Sequence, residues 1–186
     1  MWLHIAKIIN KKFNYFGFTL IELLVVIAII AVLAAIVAPN AFRAIEKGKV
    51  AKLISDLKAF KTAALAYYAD TGQWPPHDVS WTTDGEVSIF ITGQGQPAGW
   101  NGPYLERWPD PPWRCAQETV ARGSYDWFNA VSAGRPLLGI TVSCVPRSAA
   151  LRVDRDLDDG NLNTGRVRYW NFVGGWLYLS VTLAAL

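Results

Sequence analysis

One carboxylate lies inside the most apolar part of the chain. From residue 18 to residue 38 only Thr19 and Glu22 are polar. A carboxylate within a membrane segment costs roughly 2.5–3.5 kcal/mol on insertion scales, so Glu22 is a functional candidate by default. An ammonium group beside Glu22 would neutralise both charges, each of which is costly in an apolar medium. The alternative is that Glu22 reaches the polar interface, because it lies near one end of the apolar run.

The chain has two cysteines, Cys115 and Cys144, which do not have Cys-x-x-Cys spacing. A disulfide between them would close a loop of roughly 30 residues and contribute about 3.7 kcal/mol in the chain-entropy model. Such a bond requires an oxidising compartment. The alternative is a pair of buried thiols.

Alternating acids followed by a glycine form the one metal-like stretch of the sequence. Its candidate oxygen ligands for calcium are Asp154, Asp156, Asp158, Asp159 and Asn161. An EF-hand has glycine directly after the third acid, whereas here Asp159 intervenes, and no glutamate follows at the closing position. The alternative is a short helix over residues 149–157 that ends before Gly160, with the acids solvated in a turn.

Catalytic constellations are missing from the sequence. His77 is the only histidine after residue 17, which disfavours a zinc site and a Ser-His-Asp triad. The formal charge of +3 comes from three lysines within residues 1–17, and 15 basic and 15 acidic residues follow them. Nucleic-acid binding is therefore not expected. We predict that the protein is not an enzyme.

A long apolar helix must position Glu22. Residues 23–38 are an unbroken apolar run of sixteen, and residues 18–38 would span about 31 Å as a helix, close to the thickness of a bilayer. A secretory signal peptide has an apolar core of only ~7–15 residues and no acid. A buried core helix is disfavoured because every face is apolar. We predict one membrane-spanning segment, although basic residues on both sides leave its orientation ambiguous by charge.

An amphipathic helix and several short strands are predicted after the span. Pro39 lacks the N–H of a helical hydrogen bond and should kink the helix. Apolar residues then recur at steps of three and four up to Tyr68, and the helix should end by Gly72. Strands are predicted at residues 87–92, 125–131 and 137–144, with one or two more within residues 167–181. A long helix followed by short strands indicates an α+β fold with an antiparallel sheet.

The residues around Glu22 resemble the amino-terminal signature of type IV pilins and type II secretion pseudopilins. The similar run is Gly17-Phe18-Thr19-Leu20-Ile21-Glu22, followed by apolar residues to Ile30. The resemblance implies that a prepilin peptidase cleaves between Gly17 and Phe18 and that Phe18 becomes N-methylated. It also implies that Glu22 pairs with the Phe18 amine of a neighbouring subunit. Pro39 matches a helix-kinking proline of many members and is assigned to assembly with Glu22.

Three later stretches resemble major pseudopilins: residues 67–75, residues 102–105 and residues 108–113, the last with one additional proline. The resemblance implies a pilin-like organisation. Residues 1–17 would be a leader peptide, residues 18–39 a transmembrane and filament-core helix, and residues 40–186 a globular domain. That domain would combine a helix over residues 40–70 with a sheet and loops over residues 71–186. Major pseudopilins bind calcium in a late loop, which favours calcium at the acidic stretch.

The predicted function is a structural one. We expect a subunit of a type II secretion pseudopilus or type IV pilus that polymerises through its amino-terminal helix. Expected partners are other copies of the chain, other pilins or pseudopilins, the prepilin peptidase and the inner-membrane assembly machinery. The chain would cross the inner membrane once, with its carboxyl-terminal domain in the periplasm, before entering the filament. The alternative is a minor tip pilin that binds cargo, a surface or DNA, for which nine tryptophans would suit a contact patch or equally a core.

Overall fold

The computed structural model describes residues 17–76, 90–91, 97–115, 124–132, 135–172 and 176–185. Its helices and strands are α1 (Leu20–Thr71), β1 (Tyr125–Ser132), β2 (Arg135–Ser143), α2 (Arg147–Leu157), β3 (Val167–Phe172) and β4 (Trp176–Ala185). This order confirms the predicted α+β class. The predicted strand at residues 87–92 falls mostly outside the described residues, and the two that are described, Phe90 and Ile91, form a turn.

Helix α1 ends where the sequence predicts. Gly72 adopts a positive φ of 70°, and its N–H donates to the Tyr68 carbonyl at 2.8 Å. A glycine in this left-handed conformation satisfies a carbonyl of the last turn and stops the helix. Pro39 lies inside α1, and the kink expected there stays a prediction.

The chain divides into two compact units, Met1–Arg43 and Ala44–Leu186. In the described part of the first unit the large apolar side chains of α1 are exposed on every face. Such a pattern is typical of a helix surrounded by lipid. Within the part of the chain that the structure describes, α1 is the one helix long and apolar enough to cross a membrane.

The four strands form one antiparallel sheet with the order β1-β2-β4-β3. Strand β4 pairs with β2 on one side and with β3 on the other. Strands β1 and β3 are therefore the two edges of the sheet. Helix α2 connects β2 to β3, which lies at the edge opposite β1. Strand β4 then lies between β2 and β3.

The second half of α1 packs against this sheet. Its buried residues recur at helical spacing: Val50, Leu53, Leu57, Phe60, Ala63, Ala64 and Tyr67. Aromatic rings fill the interface, with Phe60 at 4.8 Å from Trp108 and 5.3 Å from Tyr125 between ring centroids. Trp127 is fully buried, and its indole N–H donates to the Pro75 carbonyl at 3.2 Å. These aromatic residues belong to the core rather than to a contact patch.

Candidate functional site

The predicted cleavage junction lies in exposed chain just before α1. Gly17 and Phe18 both precede the first helical residue, Leu20, and the Phe18 side chain is 81% exposed. A Cβ added at Gly17 would meet no atom within 4 Å. Nothing in the described fold therefore requires glycine at residue 17. A narrow protease site would require it, because a larger side chain would obstruct the scissile bond.

Glu22 forms a capping box with Thr19 at the start of α1. The Glu22 Oε2 atom accepts hydrogen bonds from the Thr19 N–H at 2.9 Å and from the Thr19 hydroxyl at 2.7 Å. In return, the Glu22 N–H donates to Thr19 Oγ1 at 3.3 Å. This reciprocal arrangement satisfies N–H groups of the first helical turn. Sequence reasoning missed this role, although the Thr-x-x-Glu spacing is its signature.

The capping box uses only one of the two carboxylate oxygens of Glu22. Both bonds from Thr19 go to Oε2, and Oε1 has no hydrogen bond within the described residues. The carboxylate lies in the first turn of α1, where the helix dipole favours negative charge. Glu22 can therefore cap its own helix and still accept a hydrogen bond from a cationic group through Oε1.

Three of the five candidate calcium ligands come together at the end of α2. Single carboxylate oxygens of Asp154, Asp158 and Asp159 lie within 4.8 Å of one another. Asp156 is exposed on α2 and outside this group. The fifth candidate, Asn161, uses its Oδ1 to accept the Asn163 N–H at 3.2 Å.

Asp154 is the unusual member of this acidic cluster. Its side chain is fully buried, and neither carboxylate oxygen has a well-formed hydrogen bond within the described residues. Burial raises the pKa of Asp154, and the negative charges of Asp159 and Asp158 raise it further, while the nearby Gly160 N–H offsets part of the effect. A buried carboxylate without a partner is costly. The cluster therefore fits a hard cation, which binds carboxylate oxygens.

The turn after α2 holds the other two carboxylates in place. Asp159 Oδ1 accepts the Asn161 N–H and Oδ2 accepts the Thr164 hydroxyl, both at 2.8 Å, and these bonds lower the pKa of Asp159. Asp158 accepts the Arg166 N–H and forms an ion pair with the Arg166 guanidinium at 3.6 Å. The short helix ending before Gly160 and the acidic cluster are thus compatible, whereas the sequence presented them as alternatives.

The structure joins Cys115 and Cys144 by a disulfide with a Cα–Cα distance of 5.2 Å. Cys115 belongs to the loop over residues 97–115, and Cys144 comes directly after β2. The bond therefore ties this loop to the sheet. Because it joins a loop to the sheet, the bond has a structural role.

Two of the resembling stretches pack against each other although about 30 residues separate them. The Tyr104 hydroxyl donates to Asp70 Oδ2 at 2.9 Å, and the Tyr104 ring lies 5.6 Å from the Tyr67 ring between centroids. Gly99 has a φ of 92°, and a Cβ there would collide with the Asp70 carbonyl. These contacts hold the loop around residues 99–104 against the carboxyl-terminal end of α1.

Comparison with known proteins decides the family. A family model described as the prokaryotic N-terminal methylation motif matches residues 12–38. The type II secretion system core protein G of Klebsiella pneumoniae is 32% identical over 121 residues, which cover 63% of this chain and 83% of the relative. The chain belongs to the pseudopilin family of core protein G. The predicted family membership is thereby confirmed.

Other relatives of this pseudopilin carry the same description. Core protein G of Pseudomonas aeruginosa is 34% identical over 121 residues, covering 63% of this chain and 82% of the relative. The Vibrio cholerae protein is also 34% identical over 121 residues, covering 63% and 79%. A second family model, PilW, C-terminal, matches residues 44–126. A search of the solved structures found no significant match.

Proposed function

We propose that the chain is a structural subunit of a type II secretion pseudopilus that polymerises through α1. The observation that carries the proposal is the junction, where an exposed Gly17-Phe18 bond precedes an apolar helix capped by Glu22. The core protein G relatives favour a pseudopilus over the type IV pilus that the same junction also allows. Their description as core proteins of a secretion system also supports a role in that assembly.

The match of the junction to the N-terminal methylation motif implies three steps. A prepilin peptidase removes residues 1–17, N-methylation modifies the new amine of Phe18, and that amine pairs with Glu22 of a neighbouring subunit. The apolar half of α1 first anchors the chain in the inner membrane, with the unit Ala44–Leu186 in the periplasm. The inner-membrane machinery and other pseudopilins then take it into the filament, where apolar helices pack against one another. A subunit found only at filament ends would instead support the minor tip role.

Processing at Gly17 is tested by substituting Gly17→Leu. A bulky side chain at the scissile bond should block cleavage, so the variant keeps Met1 while the natural chain begins with N-methylated Phe18. Intact-mass spectrometry of membrane fractions measures both. Gly48→Ala is the matched control, because a Cβ at Gly48 also meets no atom within 4 Å and should leave processing unchanged. A mature chain that begins anywhere other than Phe18 would contradict the proposal.

The pairing role of Glu22 is tested by Glu22→Gln. Glutamine keeps an oxygen that can accept the Thr19 N–H, so the capping box can persist while the negative charge is lost. We expect normal membrane insertion and at least about tenfold fewer filaments. A tenfold change corresponds to the loss of about 1.4 kcal/mol of binding free energy at each contact between subunits. Electron microscopy of sheared filaments and fractionation measure the two properties. Filaments as abundant as those of the natural chain would show that charge pairing is unnecessary.

We also propose that Asp154, Asp158 and Asp159 hold a calcium ion. The support is the convergence of these carboxylates and the buried, unpartnered state of Asp154. A bound cation would offset the cost of the buried charge and fasten the end of α2 to the turn before β3. The role of the calcium ion would be structural, because the proposed function involves no substrate or reaction.

Calcium binding is tested by thermal unfolding of the mature chain with calcium and with a chelator. Calcium at 100 times its dissociation constant should stabilise the natural chain by about 2.7 kcal/mol. Asp154→Asn should respond to calcium little or not at all, and should be more stable than the natural chain in chelator. Asp156→Asn, outside the cluster, is the control and should respond normally. An equal calcium response in Asp154→Asn would contradict the proposed site.

A further inference from the structure

An apolar cavity opens between α1 and the β3 edge of the sheet. Its volume is about 200 Å³, and its apolar lining consists of Ile54, Leu57, Leu157, Val167, Val181 and Leu183. An apolar cavity of roughly 150 Å³ can hold benzene. This cavity therefore has room for one ring or one branched side chain, and is too small for a lipid chain.

Cations surround this cavity. Lys58, Lys61 and Arg166 line it, and no acidic side chain in the described ranges does. Lys58 and Lys61 are exposed and form no ion pair with any residue that the structure describes. Arg166 already pairs with Asp158. The two lysines therefore favour an occupant that places a carboxylate beside a small apolar group.

Residues 109–112 of the same chain have this combination. Asp110 is exposed between Pro109 and Pro111, and its carboxylate has no partner among the described residues. Pro109, Pro111 and Pro112 are half-buried, so each leaves part of its ring exposed. The backbone is held firmly, because Lys52 Nζ donates to the Asp110 carbonyl at 2.7 Å. We call residues 109–112 the Asp110 loop.

The Asp110 loop and the cavity lie on opposite sides of the unit Ala44–Leu186. Lys52, which contacts the loop, and Lys61, which lines the cavity, are nine residues apart, or about half a turn in direction at about 100° per residue. The contacts with the sheet also place the Asp110 loop and the cavity on opposite sides. Trp108 contacts β1 at one edge through the Tyr125 carbonyl, whereas Val167 of β3 at the other edge lines the cavity.

We propose that the Asp110 loop of one subunit docks on the cavity of the next. The Asp110 carboxylate pairs with Lys58 or Lys61, and a flanking proline ring enters the apolar space. Arg107 and Arg114 are exposed in the same part of the chain, so complementarity depends on the position of Asp110 rather than on net charge. Two different surfaces that meet head to tail without closing a ring generate a filament. The inference rests on the proposed function and names the surfaces that make its lateral contact.

Cross-linking between two differently tagged chains tests the contact. One chain carries Asp110→Cys and the other Lys61→Cys, while Cys115 and Cys144 stay in their native disulfide. A short bis-maleimide applied to assembled filaments should link the two tags. Each chain assembled alone should give at least about tenfold less dimer, because head-to-tail contacts never bring identical positions together. Lys47→Cys in place of Lys61→Cys is the control, since Lys47 is exposed and does not line the cavity.

Charge reversal tests the pairing. Asp110→Lys and Lys61→Glu should each lower the filament yield about tenfold, and the double variant should recover most of it. Asp156→Lys is the control for reversing an exposed acid away from the loop. Strong linking of identical positions, or filaments unaffected by either reversal, would overturn the inference while leaving the proposed function intact. Absence of filaments from the natural chain would overturn both.

Discussion

Tyr125 and Asp56 make a partly buried polar contact that joins the sheet to α1. The Tyr125 hydroxyl donates to Asp56 Oδ2 at 2.6 Å, and Lys52 Nζ lies 2.6 Å from the same oxygen. Burial raises the pKa of Tyr125 far above its ordinary value, and the adjacent Asp56 charge adds to the effect. Tyr125 therefore stays a neutral donor at physiological pH. A contact of this kind holds the edge strand β1 in one position on the helix.

Tyr125→Phe should remove this bond and leave the aromatic packing intact. A hydrogen bond to a charged group is worth about 1.5–3 kcal/mol, so we expect the free energy of unfolding to fall by that amount. Denaturant unfolding of the mature chain in detergent measures the loss. Tyr68→Phe is the control, because Tyr68 is exposed, stacks on Trp74 and has no hydroxyl hydrogen bond within the described residues. Equal losses in both variants would contradict the assigned role.

At the scale of elements, loops are held to the helix and the sheet by contacts that are distant in sequence. Tyr104 fastens residues 97–115 to the end of α1 through Asp70, and the disulfide fastens the end of this segment to the residue after β2. Trp108 adds a contact between this segment and β1. The Asp110 loop thus belongs to a segment with three attachments besides the Lys52 hydrogen bond to the Asp110 carbonyl.

Replacing both Cys115 and Cys144 by serine should lower the free energy of unfolding by roughly 3–4 kcal/mol, because the unfolded chain gains the freedom of a loop of about 30 residues. The fold should persist, since the buried core of α1 and the sheet does not depend on the bond. Denaturant unfolding of both proteins, with and without reductant, measures the difference. Reductant should destabilise the natural chain alone. Equal unfolding midpoints of the natural chain and the double serine variant without reductant would be inconsistent with this expectation.

At the scale of the whole molecule, the two units contain different kinds of apolar surface. The core residues of the described fold all lie between Val50 and Val181, within the unit Ala44–Leu186. The large apolar residues described before Arg43 are exposed instead. Their burial must come from lipid before assembly and, in the proposed function, from neighbouring subunits afterwards. The formal charge of +3 belongs to residues 1–17, so the mature chain would be formally neutral.

The unit Ala44–Leu186 should therefore fold without the apolar half of α1, because a domain with its own core can fold alone. When exported to the periplasm behind a cleavable signal, this fragment should be soluble, monomeric and disulfide-bonded. Size-exclusion chromatography and free-thiol titration measure these properties. Aggregation of the fragment with both thiols reactive would contradict its independence.

Local features of this protein were predictable from the sequence because they depend on neighbouring residues. The length of the span follows from an unbroken apolar run, the end of α1 from Gly72, and β1, β2 and the β3–β4 pair from short apolar segments. The Thr19–Glu22 capping box has the same local origin, because its Thr-x-x-Glu spacing lies within four consecutive residues. The wider family of type IV pilins and pseudopilins was also recognisable, since its processing signature is a continuous run.

Only the tertiary structure decided the strand order β1-β2-β4-β3 and what it brings together. It placed Asp154 inside the core beside Asp158 and Asp159, and it left Asp156 outside the cluster. It also put the Asp110 loop and the lysine-lined cavity on opposite edges of one sheet. Periodicity tells which face of an element is buried but not which other element covers it. That choice depends on packing between residues distant in the chain, and the sites of this protein that involve two elements were visible only there.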